Sequence, residues 1–191
     1  VLEELIDTVL VKFHKRCPTQ NVAVAIPEDF LSIPMDAVLI GQVLTNLLEN
    51  AVIHASGMTV LELLVRQEGD RVRFTVRDNG CGIAAAELPT AFLRHATSKM
   101  RSADDLGRIG TLGFRGEALA AISSVSKVEI ITRREADDLG TRYVIEGGEE
   151  KAFEEVGSPE GTTIIIRDLF FNTPARMKFL KKDVSEANII T

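Results

Sequence analysis

Two short stretches carry residues able to do chemistry. In NLLENAVIH, Asn46 and Asn50 stand four apart, so on a helix they share one edge. An amide oxygen there is a hard ligand of the kind Mg²⁺ accepts beside phosphate oxygens. Glu49 precedes Asn50 by one residue and so points about 100° round the helix. In DNGCGI, Asp78 ends a run in which Val72, Phe74 and Val76 point one way and Arg73, Thr75 and Arg77 the other. Asp78 falls in the apolar phase. A buried carboxylate is unfavourable unless donors meet it, so it calls for a ligand amino group or backbone amides; the alternative is an aspartate that caps the turn. Gly80 and Gly82 would let the main chain come close to a bound base. A helix edge of amides beside a glycine turn that begins in a carboxylate suits a magnesium nucleotide.

The elements that must position these residues follow from periodicity. Leu2, Leu5, Ile6, Val9 and Phe13 repeat at helical spacing, and Pro18 closes that segment. Residues 21–26 alternate as a short strand. Asp36 caps a helix that runs to about His54, with Ile40, Val43, Leu44, Leu47 and Ala51 as its apolar stripe. Residues 58–67 and 71–78 read as a hairpin turned through Glu68, Gly69 and Asp70. A short helix over 85–93 leads into a polar stretch, Arg94 through Gly113, too long and glycine-rich for an ordinary connector; it reads as a lid. A buried helix over 117–125 starts beside Gly113, Phe114, Arg115 and Gly116, and amides at such a start suit a phosphate. Strands are expected over 127–133, 141–146 and 162–168, and a last helix from near Pro174.

Composition bounds the classes of function. With 191 residues, 45% of them hydrophobic and 26% charged, one well-buried core is the expectation. No apolar run is read as a membrane helix, and Glu3, Glu4 and Asp7 are unlike the basic start of a signal peptide, so a cytoplasmic protein is expected; its oligomeric state stays open, with a monomer favoured. Cys17 and Cys81 lack metal-ligand spacing and read as free thiols. A net charge of −6 argues against a protein that mainly wraps nucleic acid. Arg176, Lys178, Lys181 and Lys182 keep DNA contact open as an alternative to a solvated helix face.

No Walker phosphate loop or dinucleotide fingerprint is present. The combination of NLLENA, DNGCGI, a glycine-bearing lid and a late GTT resembles the GHKL (Bergerat-fold) ATP-binding family of histidine kinases, gyrase-type proteins, Hsp90 chaperones and MutL mismatch-repair proteins. That resemblance implies an α/β (α+β) two-layer sandwich, helices on one face of a mixed sheet, binding ATP or ADP with Mg²⁺. Residues 1–83, with IPMDAVLIGQVLTNLLENAVIH, resemble a sensor histidine kinase of the potassium-sensing type. RHATSK, IGTLGFRGEALAAISSVS and EGTTIIIRDLFFNTPAR resemble the first domain of MutL, over residues 79–191. The chain therefore reads as a single domain, a chimera with its seam at 78–83.

Roles carry over where motifs match. The resemblance implies Asn50 as the magnesium ligand, Asp78 as the adenine-reading carboxylate, and Gly80, Gly82 and Ile83 as the turn along the base. It places Thr97, Ser98 and Lys99 in the lid, Gly113, Phe114, Arg115, Gly116 and Glu117 at the phosphates, and Thr163 near the adenine pocket. Lys99 and Arg115 read equally as solvated charges. Where MutL proteins carry a glutamate that activates water, this chain has Asn46, as histidine kinases do. An amide cannot take that proton, and losing a general base slows such reactions by about 10²- to 10⁴-fold. Glu49 is a poor substitute because of its angular offset. These 191 residues also contain neither a phosphoacceptor-histidine domain nor the MutL second domain, so hydrolysis is expected to be weak or absent. The alternatives are a DNA-interacting mismatch-repair module and a fold whose site stays empty.

Overall fold

In the computed structural model, which describes residues 1–28, 35–92 and 117–168, these periodicities resolve into helices α1 (Leu2–Arg16), α2 (Ala37–His54), α3 (Leu88–Ala91) and α4 (Glu117–Val125). The strands are β1 (Ala23–Ala25), β2 (Leu61–Glu68), β3 (Arg71–Asp78), β4 (Lys127–Arg133), β5 (Gly140–Glu146), β6 (Glu149–Val156) and β7 (Gly161–Arg167). They form one sheet in the order β1-β2-β3-β7-β4-β5-β6. Among the described residues only the β1–β2 pair is parallel. The last described strand thus enters between β3 and β4 and joins the two halves of the chain. The result is the expected mixed sheet with helices packed on it.

Side-chain rows explain why the helices sit where they do. Because strand residues alternate between faces, the register aligns Val65, Phe74, Ile166, Val128 and Ile145 across β2, β3, β7, β4 and β5. A second row, Leu63, Val76, Ile164, Ile130 and Tyr143, runs beside it. These residues share one core with Leu44, Leu47 and Leu48 of α2 and with Ile122 of α4. The opposite face is charged. There Glu154 meets Arg142, Arg142 and Arg167 both meet Glu129, and Arg167 and Arg73 meet Glu68, a relay of ion pairs across the sheet. Burial alone would raise the Glu129 pKa, but hydrogen bonds and charge from Arg142 and Arg167 prevail and lower it.

The two long helices lock to each other. α1 turns Leu2, Leu5, Ile6, Val9 and Phe13 inward at helical spacing, all buried. At Gly41 a Cβ would stand 3.4 Å from Leu5 Cδ1, so the bare glycine admits α1 at close range. Asp36 caps α2 as expected: its Oδ1 accepts from Leu39 N–H at 2.9 Å, a contact typically worth about 1 kcal/mol. Covered by α1 on one side and the sheet on the other, α2 buries more than its apolar stripe; Leu48 and Glu49 are buried as well. That burial accounts for its composition. By length and hydropathy α2 meets the measure of a membrane-crossing helix, unlike the sequence expectation, and 56% of it is buried within the fold.

Three other expectations shift. The strand expected over 21–26 is only Ala23–Ala25 and wholly exposed. The short helix over 85–93 is a 3₁₀ turn, Ala85–Glu87, followed by the single turn of α3. The strand β6 was not anticipated, because EEKAFEEV has no apolar alternation; it is the mostly exposed outer strand of the sheet. The lid over 94–113 and the helix from Pro174 lie outside the described residues.

Candidate functional site

Beyond the two apolar rows, the face that carries the core changes character. The next row reads Leu61, Asp78, Thr162, Thr132 and Thr141 across β2, β3, β7, β4 and β5. Directly paired residues of antiparallel strands place their Cβ atoms about 5 Å apart. A carboxylate and hydroxyls therefore stand side by side where the core ends. Thr132 is 1% exposed and Thr162 7%, while Asp78 is half-buried.

Asp78 behaves as its phase in the strand foretold. Burial pushes its pKa up, and the backbone amides of Gly80 and Thr162 only partly counter it. The Gly80 N–H reaches Oδ1 at 2.9 Å. No ion pair to Asp78 exists among the described residues. The next residue serves structure: Asn79 Oδ1 accepts from the amides of Thr59 and Val60 at 2.9 and 2.8 Å, and its Nδ2 donates to Thr59 Oγ1 at 2.8 Å.

The turn after Asp78 is fixed against both halves of the chain. A Cβ on Gly80 would lie 2.4 Å from Ala55 Cβ, so the turn presses on the end of α2. The Cys81 thiol donates to the His54 carbonyl at 3.2 Å. Asn50 stands one turn before His54, which brings it to the same end of the sheet as Asp78. Gly82 has φ +72°, and a Cβ there would lie 2.2 Å from the Arg133 carbonyl oxygen. Close approach within the protein thus explains both glycines, where the sequence had invoked close approach of a base. Ile83 N–H donates to Thr132 Oγ1 at 2.9 Å.

On α2, Asn46 and Asn50 are both half-buried. Neither amide has a hydrogen-bond partner among the described residues. Glu49 is different. It is 5% exposed, and both its oxygens accept from Arg16 Nη1 of α1 at 3.0 Å. Its carboxylate is committed to the α1–α2 interface, which removes it as a candidate base.

Thr163 lies one strand position from the row that carries Asp78. The register pairs it with Arg77, on the face opposite Asp78, and it is Thr162 that stands beside Asp78. A strand period of two makes the difference between neighbours a difference of face. Thr163 lines a cleft of about 220 Å³ with Arg77, Ile131 and Ser158, and Asp78 and Thr162 line the same cleft. That cleft is smaller than usual for a ligand of nucleotide size. Thr132 and Thr162 were both missed in the sequence, although each shares the phase of apolar residues in its strand. Glu117 begins α4. Thr97, Ser98, Lys99, Gly113, Phe114, Arg115 and Gly116 lie outside the described residues.

Known proteins resemble this chain in sequence and in fold. Residues 35–167 match the profile of histidine kinase-, DNA gyrase B- and HSP90-like ATPases. The DNA mismatch repair protein MutL of Agathobacter rectalis is 48% identical over 149 residues, which are 78% of this chain and 22% of that protein. The chain thus spans less than a quarter of the length of that relative. Among solved structures, the N-terminal domain of a DNA repair protein gives a TM-score of 0.55 at 24% identity, covering 75% of this chain and 40% of the other. The mycobacterial sensor histidine kinase MprB gives 0.50 at 18% identity, covering 88% of this chain and 93% of the other. At such identities these two likenesses speak for the fold alone.

Proposed function

Because this chain belongs to the family of histidine kinase-, DNA gyrase B- and HSP90-like ATPases, we propose that it binds ATP or ADP with Mg²⁺ and hydrolyses ATP weakly or not at all. The observation that carries this reading is Asp78: a half-buried carboxylate whose pKa is raised by desolvation, beside Thr162 and without a charged partner among the described residues. Such a group destabilises the empty protein, and a base that donates its amino protons would satisfy it. In this reading Asp78 and Thr162 accept from adenine while the turn through Gly80, Gly82 and Ile83 forms the wall beside it.

The metal would be held at Asn50. Its amide is free of partners among the described residues, and no cluster of three or more His, Cys, Asp or Glu occurs among them to form a protein cage for a cation. That donor set fits Mg²⁺, which keeps waters and phosphate oxygens and needs few protein ligands. When bound, the ion would neutralise phosphate charge. Asn46, one turn earlier, can hydrogen-bond water or phosphate but cannot take a proton, and Glu49 is held by Arg16. Weak turnover follows from both.

The finer reading keeps one domain with a seam at 78–83, residues 1–83 of histidine-kinase type and 84–191 of MutL type. The described contacts are compatible with such a join, since β3 of the first part pairs with β7 of the second along five residue pairs. Against a sharp seam, the 149 residues aligned with MutL exceed those from Asn79 to the end, so that likeness reaches into the first part. It also favours a second reading, a nucleotide-binding part of a DNA mismatch-repair protein; salt-dependent retention of DNA tests it.

Calorimetry with Mg-ADP on the parent, Asn50→Ala and Asp78→Ala decides the main proposal. Both variants are expected to bind at least tenfold more weakly, and parent-like binding by both would show the site to be elsewhere.

A further inference from the structure

We infer that Thr132 is a positioning residue that sets which way the hydroxyl of Thr162 points, and through it which nucleobase the site accepts; this rests on the nucleotide reading above. Thr132 Oγ1 touches three groups: the Gly161 carbonyl at 3.0 Å, the Ile83 N–H at 2.9 Å and Thr162 Oγ1 at 2.9 Å. A hydroxyl has one proton and two lone pairs. The Gly161 carbonyl can only accept, so it takes the Thr132 proton. The Ile83 amide can only donate, so it fills one lone pair. The remaining lone pair faces Thr162, whose own proton must fill it. All three valences of Thr132 are thereby used, at a side chain 1% exposed to solvent.

The consequence lies one strand over. With its proton spent on Thr132, Thr162 presents only lone pairs to whatever sits beside Asp78, and the Asp78 carboxylate, once ionised, likewise only accepts. Two adjacent acceptors match the two protons of an exocyclic amino group, met directly or through water, and in a base held with its 6-position toward Asp78 adenine carries that group there. A carbonyl at that place, as in guanine, would leave acceptor facing acceptor, and sites built on such hydrogen bonds discriminate strongly. Thr132 need not touch the nucleotide to impose this, because it acts through the proton of Thr162. It also pins Ile83 and Gly161, the chain segments on either side of Asp78 and Thr162.

The test compares affinity for Mg-ADP and Mg-GDP by calorimetry in the parent, Thr132→Val and Thr132→Ser, with melting curves to confirm folding. Valine matches the shape of threonine but frees the Thr162 proton, so the preference for ADP is expected to fall about tenfold or more, the equivalent of one misdirected hydrogen bond. Serine keeps the hydroxyl and should restore the parent's preference. A folded Thr132→Val protein with the parent's ratio overturns the inference, since a merely structural role would weaken both nucleotides alike. Should Thr132→Val fail to fold, Thr162→Ala decides instead: it spares the Thr132 bonds to Ile83 and Gly161, and an unchanged ratio there overturns the inference equally. A parent that binds neither nucleotide would overturn the nucleotide reading itself, a distinct failure.

Discussion

Replacing Gly82 with alanine should reveal how rigidly the turn after Asp78 is held, and a second glycine supplies the reference. Gly82 has φ +72° and Gly57 has φ +75°, so alanine at either position meets the same backbone penalty, about 1–2 kcal/mol for a left-handed L-residue. Their surroundings differ. At Gly57 a Cβ would meet nothing within 4 Å. At Gly82 it would lie 2.2 Å from the Arg133 oxygen, 2.6 Å from the Arg133 carbonyl carbon and 2.9 Å from the Arg134 nitrogen. All three are main-chain atoms at the end of β4, and no rotamer change can move them. Overpacking of this kind adds about 1–3 kcal/mol, so Gly82→Ala should lose about 2–5 kcal/mol in total and Gly57→Ala about 1–2. Against the roughly 5–15 kcal/mol that holds a typical domain folded, the difference is large. Urea unfolding reads it as a lower midpoint with unchanged slope. Since the turn also carries Ile83 onto Thr132, Gly82→Ala should weaken ADP binding while Gly57→Ala leaves it alone. Equal stability losses for the two variants, or full ADP affinity in Gly82→Ala, would refute the idea of a rigid turn.

Three further outcomes follow from the same geometry. Asn46→Glu should raise ATP turnover at least about tenfold, a conservative share of what a general base supplies; a variant that binds ATP but turns over no faster would show that the base is not the deficit. The raised pKa of Asp78 has a definite sign: the folded protein holds that proton at pH values where the unfolded chain has lost it, so the apo protein loses stability as pH rises from the unfolded value toward the folded one. ADP affinity should run the opposite way, falling as pH drops through the raised pKa, and Asp78→Asn should abolish the pH dependence of both; equal profiles for variant and parent in titration calorimetry would contradict it. Arg16→Met strands the buried Glu49 carboxylate. Breaking a fully buried pair costs about 3–5 kcal/mol, but the Arg16 side chain is 55% exposed, so solvent screening reduces the expectation to about 1–3 kcal/mol in urea unfolding.

What the sequence disclosed follows a physical division. α2, its Asp36 cap and the inward set of α1 were legible because a helix buried along one stripe writes its period into the chain. Asp78 was legible because a carboxylate in an apolar phase breaks a pattern. Thr132 and Thr162 break the same pattern, after Val128 and Ile130 and before Ile164 and Ile166, but threonine is an ordinary strand residue and raises no alarm. Their meaning depends on strands β3, β7 and β4 lying side by side, an order the sequence does not state. Strand β6 was hidden for the opposite reason. As an outer strand exposed along most of its length, it needs no apolar alternation, and its four glutamates give no strand signal. The ion pair of Glu49 was not legible because the arginine that claims it sits on another helix, 33 residues earlier.

The DNGCGI turn also bears on whether residues 1–83 and 84–191 act as one unit. The turn is tied to three parts of the fold: Asn79 to Thr59 and Val60 just before β2, Gly80 and Cys81 to the end of α2, and Gly82 and Ile83 to the end of β4. Asp78, just before it, pairs with Thr162 of β7. If residues 1–83 and 84–191 had separate cores, contacts between them would be few. Instead β7 and β4 of the later part continue the sheet of β2 and β3, and Ile122 of α4 belongs to the same core as Leu48 of α2. Unfolding either part strips the other of a sheet partner and of apolar cover, so the two should unfold together. A single urea transition, coincident by far-ultraviolet circular dichroism and by a fluorophore placed on Cys81, is the expected result. Two separated transitions would show that the parts are only neighbours, and that the site between α2 and the polar row is assembled from pieces that do not depend on each other.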